Sequence, residues 1–376
     1  MKKIKVLQMP VRNAKGGITQ YALRNWAHID KSRLIFDWVT LDKELSFEKD
    51  LIDQGCKVHH LSCRQEDDES RFRAEMEAIF ANKYDAIHLH TSYWRGFLAE
   101  ELAIQAKIPR IIVHAHSTGI DVVDSVVREK LAEKHNEWKS RFNTGLATHF
   151  VACSDVAAKF LFGPQIPDDR ITVLKNAIDT AKFSFDNNIR AEMRCKMGLE
   201  DKFVILQAAR LEHQKNHTFA LKLFAEVLSV IPKAIFLLAG DGQLRDELKK
   251  EAVDLGIADK VCFLGFRNDV SALLQAADLM VAPSLFEGFS ISAIEAQCSG
   301  IHFCCNYCCI PDEAMVLDST VRLPLDMSLW RDEIVKIAHT GYERRDRSED
   351  IAAAGYSLSE QIKVLESIYS GVIYQA

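Results

Sequence analysis

Short apolar runs recur along this chain, each followed by a stretch with helical spacing. IKVLQM (4–9) opens the pattern, bounded by Pro10 and the Gly16–Gly17 pair, and a helical pattern follows to about Ile29. FDWVTL, KVHHLS, AIHLH, RIIVHAH, THFVAC (148–153) and ITVLKN (171–176) continue the series, separated by helix-length segments. A second group starts at FVILQAA (203–209) and runs through AIFLLAG (234–240), KVCFLG (260–265) and DLMVAP (278–283). Short apolar strands alternating with helices predict parallel sheets covered on both faces. The polar, charged segment 177–202 between the groups reads as a linker, and Ser357 to Tyr374 reads as an amphipathic helix with no strand after it.

The expected fold is α/β, with two Rossmann-like doubly wound domains, 1–177 and 178–356, facing across a cleft. A length of 376 residues is too great for one ordinary core. Doubly wound sheets bind ligands at the carboxyl ends of their strands, so the loops after the apolar runs are the places to look for chemistry.

Composition narrows the partners. A hydrophobic fraction of 48% argues against disorder, and a net charge of -6 lacks the basic surplus of a nucleic-acid binder. There is no apolar run of about eighteen residues to cross a membrane. The start, MKKIKVLQMP, is too short in its apolar part for a signal peptide and reads as a first strand. A cytoplasmic location is expected, and ten cysteines then read as free thiols. In FCCNYCC (303–309) adjacent cysteines of a strand face opposite sides and no second CxxC follows, which favours small buried side chains over a metal site.

Five stretches could carry chemistry. ARLEHQKNH (209–217) puts Arg210 and Lys215 after a strand and beside a helix start, an anion site suited to a diphosphate or else a solvated loop. AGDGQLRDEL (239–248) lacks the full G-x-G-x-x-G pattern, so Gly240 and Gly242 read as a packing turn. EGFSISAIE (287–295) follows a strand ending at Pro283, with a helix starting near Ser290. Its first turn offers N–H groups of Phe289, Ser290 and Ile291, and Gly288 allows close approach. With the helix begun at Phe289, Glu295 lies about 9 Å along its axis, a separation that suits two ends of one long ligand and not an acid/base couple with Glu287. In the first half, KGGITQY (15–21) is a glycine turn after strand one, and HAHSTG (114–119) puts His116 at a strand end with His114 buried or structural.

Taken together, GGI (16–18), His116, LKNAID (174–179), RLEHQKN (210–216), AGDG (239–242) and EGFSISAIE resemble, in order and spacing, the family-4 retaining glycosyltransferases of the GT-B fold. HLHTSYW (88–94) through HAHS also resembles enzymes that build bacterial capsule, exopolysaccharide or other surface glycans. The resemblance implies that Arg210 and Lys215 bind the donor diphosphate and stabilise the leaving group, and that Glu295 holds the ribose. It implies that Glu287 and the N–H groups of Phe289, Ser290 and Ile291 meet the donor sugar and phosphates. Gly17 then lets a loop approach the diphosphate, His116 contacts the donor sugar, and Phe266 and Arg267 lie along the base. The donor is a nucleotide-sugar, UDP being the commonest choice, and the acceptor a glycan, lipid-linked or protein group. No cofactor and no metal are expected, since no DxD motif is present. Anomeric configuration is retained, the carboxy-terminal helix crosses back onto the first domain, and the charged helix 126–142 is a place for peripheral membrane contact. Ala177 departs from the family's usual glycine. A non-catalytic partner subunit and a nucleotide-sugar epimerase are the alternatives, but a partner could lose the charged residues that are all present here.

Overall fold

The computed structural model describes residues 3–13, 17–120, 122, 124–285, 287, 289–307 and 311–371. By its contacts the chain divides into one unit of residues 1–176 with 358–376 and a second of 177–357.

The first unit is built on β1 (Ile4–Val11), β2 (Leu34–Thr40), β3 (Val58–His60), β4 (Ala86–Thr91), β5 (Arg110–Ala115), β6 (His149–Ala152) and β7 (Ile171–Val173). All pair in parallel, in the order β3-β2-β1-β4-β5-β6-β7. Alternation gives its two faces different tasks. Leu7, Met9, Ile87, Leu89, Val113 and Ala115 enter one apolar core. The opposite face carries Gln8, His88, His90 and His114, all buried. The helix Leu358–Ser370 belongs to this unit: Glu366 Oε1 accepts from the Asp30 amide at 2.8 Å, and Gln361 donates to Asn25.

The second unit is built on β8 (Phe203–Ala208), β9 (Ala234–Ala239), β10 (Val261–Gly265), β11 (Leu279–Ala282), β12 (His302–Asn306) and β13 (Thr320–Leu323). They form a parallel sheet in the order β10-β9-β8-β11-β12-β13. Cores lie on both faces, and adjacent Cys304 and Cys305 of β12 enter opposite ones. None of the described cysteines forms a disulfide; Cys308 and Cys309 lie outside the described residues. The apolar-run criterion passes over β13, an edge strand of four residues that includes Arg322.

The expected linker 177–202 is instead folded into the second unit. Asp186 caps the helix Asn187–Met197, Gly198 closes it at φ 64°, and Met193 is buried. Its arginines make the stretch look like a linker, yet they are committed to structure. Arg190 donates to the carbonyls of Gln275 and Ala277 at 2.8 Å, and Arg194 reaches Asp278 Oδ2 at 3.1 Å.

In each sheet the strand order reverses beside the first strand, between β1 and β4 and between β8 and β11. Those are the topological switch points where open sheets leave a crevice for ligands.

Candidate functional site

At the second switch point two loops meet. The chain leaves β8 through Arg210, makes a 3-10 turn at His213–Lys215, and turns at Asn216 in the left-handed region (φ 51°) into the helix His217–Val230. From β11 it leaves through Pro283 and Ser284 to Glu287. Lys215 Nζ donates to Glu287 Oε1 at 2.5 Å, and Ser284 Oγ donates to the same oxygen at 2.8 Å. The Lys215 and Glu287 side chains are 18% and 8% exposed, so the pair is only partly reached by water.

The backbone fixes this pair. Gln207 Nε2 donates to the Lys215 carbonyl at 2.9 Å, Asn216 Nδ2 to the Pro283 carbonyl at 3.1 Å, and the Leu285 amide to the Gln214 carbonyl at 2.8 Å. Asn306, at the end of β12, donates to the Ser284 carbonyl at 2.9 Å. His217 Nε2 lies 2.9 Å from the Arg210 carbonyl, and burial pushes its pKa down to about 4, so it is neutral at pH 7. Gln207, Asn216, His217, Ser284 and Asn306 were not singled out in the sequence. Asn216 and His217 close the stretch ARLEHQKNH, and for the others a polar residue within or just after an apolar run is the signal.

The glycines of AGDG press against the Arg210 loop. A Cβ on Gly240 would lie 1.8 Å from the Ala209 carbonyl oxygen, and one on Gly242 2.4 Å from that of Leu211. The loops after β8, β9 and β10 are further stitched by Ala209 N to Ala239 O at 3.0 Å and Gly240 N to Gly265 O at 2.9 Å.

The remaining predicted residues divide. The helix begins at Ile291, two residues later than the 9 Å figure assumed, and Glu295 sits in its second turn, half-buried. Ser290 is the N-cap residue but makes no capping bond, its Oγ lying 3.1 Å from Ser292 Oγ, so the first-turn N–H groups lack a side-chain cap. Phe289 packs toward the core, 5.8 Å from the Tyr356 ring. Gly288 lies outside the described residues. Arg210 pairs with Glu212 at 2.6 Å and is 43% exposed. Arg267 forks onto both oxygens of Asp269 at 2.7 and 2.5 Å, and Phe266 beside it is 55% exposed.

In the first unit, Gly17 opens the helix Gly17–His28, and a Cβ there would meet nothing within 4 Å. Gly16 lies outside the described residues. His116 follows β5 and is half-buried, its Nε2 2.9 Å from His90 Nδ1. His88, His90 and His114 lie behind it, with ring nitrogens within 4.8 Å of one another, close enough among the described residues to share a metal ion. Those nitrogens are engaged instead with one another, with Gln8, with Tyr369 and with His116, save His114 Nε2, which is buried with no hydrogen-bond partner among the described residues. The two H-x-H triplets on adjacent strands were the available signal for this cluster.

A basic side chain held against a carboxylate at a switch point, beside an uncapped helix start, is an arrangement for a charged, hydroxyl-rich ligand. Residues 189–317 match the profile described as Glycosyl transferases group 1, and residues 36–182 match Glycosyltransferase Family 4. The chain belongs to the family-4 glycosyltransferases. This glycosyltransferase is 27% identical to EpsF of Bacillus subtilis, itself named as a glycosyltransferase, over 95% of this chain and 94% of that one. It is 25% identical to the UDP-Gal:alpha-D-GlcNAc-diphosphoundecaprenol alpha-1,3-galactosyltransferase of Escherichia coli, over 80% and 78% of the two chains. Its fold is GT-B: HepE of Anabaena, solved in complex with UDP, superposes with a TM-score of 0.76 at 17% identity, covering 99% of this chain and 100% of that one. Among the described residues no helix is long and apolar enough to cross a membrane.

Proposed function

We propose that this glycosyltransferase moves a hexose from a UDP-sugar to a lipid-linked or glycan acceptor in bacterial surface-polysaccharide synthesis, with retention and without a metal. The observation that carries this is Lys215 held on Glu287 at the β8/β11 switch point, next to the uncapped start of the helix Ile291–Cys298. Lys215 then neutralises the leaving diphosphate together with Arg210, Glu287 meets the donor sugar, and Glu295 holds the ribose. Such fixed cationic groups stabilise charge that grows on the departing oxygen, which is where a transferase with no protein nucleophile lowers its barrier. The UDP donor is supported by the UDP bound to HepE, and the lipid-linked acceptor by the substrate in the name of the Escherichia coli relative. Gly17 gives the diphosphate room, His116 meets the donor sugar, and Phe266 and Arg267 flank the base. The helix Ser125–Arg141, with exposed Val126 and Val127 among its charges, is the proposed place of peripheral membrane contact.

A thermal-shift and donor-hydrolysis screen against UDP-, GDP- and ADP-sugars without metal tests this reading. A shift with UDP-sugars and slow UDP release are expected, and both should survive EDTA. Loss that added divalent cation restores would refute the metal-free mechanism, and no response to any nucleotide would refute the donor assignment.

A further inference from the structure

Six buried or half-buried side chains of the first unit form one unbroken hydrogen-bonded series. His114 Nδ1 lies 3.1 Å from His88 Nε2, and His88 Nδ1 lies 2.6 Å from Tyr369 Oη. Gln8 Nε2 donates to Tyr369 Oη at 3.3 Å, and Gln8 Oε1 lies 2.9 Å from His90 Nε2. His90 Nδ1 then lies 2.9 Å from His116 Nε2. Two H-x-H triplets on neighbouring strands, with Gln8 on β1, bring this about, because alternate residues share one sheet face. Tyr369 arrives from the helix Leu358–Ser370.

Each contact has room for one hydrogen, so the protons must all run the same way, and Gln8 sets the direction. Its amide nitrogen only donates and its carbonyl only accepts. Tyr369 receives the amide N–H and therefore gives its own proton to His88 Nδ1. Burial pushes the pKa values of His88, His90, His114 and His116 down, so each ring is neutral and holds one proton. His88 thus carries its proton on Nε2 and donates to His114. On the other side, Gln8 Oε1 accepts from His90 Nε2–H. That leaves His90 Nδ1 bare, to accept from His116 Nε2–H. His116 ends the series with Nδ1 bare, and that nitrogen makes no hydrogen bond with the described residues.

We propose that Gln8 and Tyr369 are positioning residues that lock His116 as its Nε2–H tautomer, making Nδ1 an acceptor that selects a donor sugar presenting a hydroxyl and not a carboxylate. The selectivity rests on the reading of His116 as the group that meets the donor sugar; the tautomer does not. A bare ring nitrogen takes a hydrogen bond from a hydroxyl and repels a carboxylate oxygen. Turning the Gln8 amide over would reverse every proton in the series and present an N–H at His116 instead.

Long-range proton–nitrogen correlation on 15N-histidine-labelled protein reads the tautomer directly, with His116→Asn identifying the signal. The wild-type protein should show His116 protonated on Nε2. Gln8→Glu, a buried carboxyl whose proton can sit on either oxygen, keeps both hydrogen bonds but not their direction, so His116 should populate both tautomers. Gln8→Met and Tyr369→Phe should mix the tautomers and lower kcat about tenfold, the loss of one hydrogen bond, with KM for the donor little changed. Both should also narrow the preference for UDP-glucose over UDP-glucuronate. A wild-type His116 protonated on Nδ1, or a tautomer unmoved by both Gln8→Met and Tyr369→Phe, would overturn the proposal. The expected tautomer with full turnover in His116→Asn would instead refute the sugar contact, and the selectivity with it, leaving the relay in place.

Discussion

Replacing Lys215 by alanine separates what this residue does for catalysis from what it does for stability. Its ammonium is 2.5 Å from Glu287 Oε1 and the side chain is 18% exposed. If it neutralises the leaving diphosphate, its loss removes a preorganised charge, and kcat should fall about 10²-fold or more, by analogy with a lost oxyanion-hole donor. The same change strips Glu287 of its charge partner. Breaking a fully buried pair costs about 3–5 kcal/mol, but Glu287 keeps Ser284 Oγ at 2.8 Å and some water, so roughly 1–2 kcal/mol is expected here. In a domain of this size that lowers Tm by about 2–8 °C. Adding Glu287→Gln should return most of the lost Tm, because no unpaired charge is left, while turnover stays low. The assay is UDP release from a UDP-hexose beside a melting curve for each variant. Turnover within threefold of wild type in folded Lys215→Ala, or turnover restored together with Tm in the double variant, would refute the assignment.

Other perturbations reach the surrounding scaffold. Gly240→Ala puts a methyl 1.8 Å from the Ala209 carbonyl oxygen and should cost about 2–3 kcal/mol or more, read as a drop in Tm; an unchanged Tm would show that the Arg210 loop is not pinned there. Arg210→Ala loses only a half-exposed bridge to Glu212, so stability should change by less than about 1 kcal/mol while turnover falls about tenfold or more. Stability should also fall with acid. His217 has a folded pKa near 4, depressed by burial from 6.5, so its contribution is full above pH 6.5 and is lost as the pH falls through 4, by up to about 3 kcal/mol. Urea unfolding between pH 7.5 and 4.5 should show a shallower slope in His217→Gln, and an unaltered slope would exclude His217 as a source.

Much of this protein was legible in the order of its residues. Short apolar or alternating runs located eleven of the strands, from β1 through β11, because the central strands are buried on both faces and must be largely apolar, while the edge strands β3 and β7, less buried, keep only short runs. The glycines of AGDG were readable as a packing turn, since a glycine pair after a strand permits a tight turn. The polar stretch 177–202 misled, because sequence does not show whether an arginine meets water or, as Arg190 does, the carbonyls of Gln275 and Ala277.

What only the tertiary structure decided is which charges meet. Lys215 and Glu287 are 72 residues apart, and they become partners because β8 and β11 are neighbours at the point where the strand order reverses. Gln8, His88 and Tyr369 are separated by up to 361 residues and join in one series because the last helix covers the polar face of the first sheet. Local sequence dictates period, caps and turns. The pairing of buried polar groups depends on strand order and helix docking, and is settled only when the chain closes on itself.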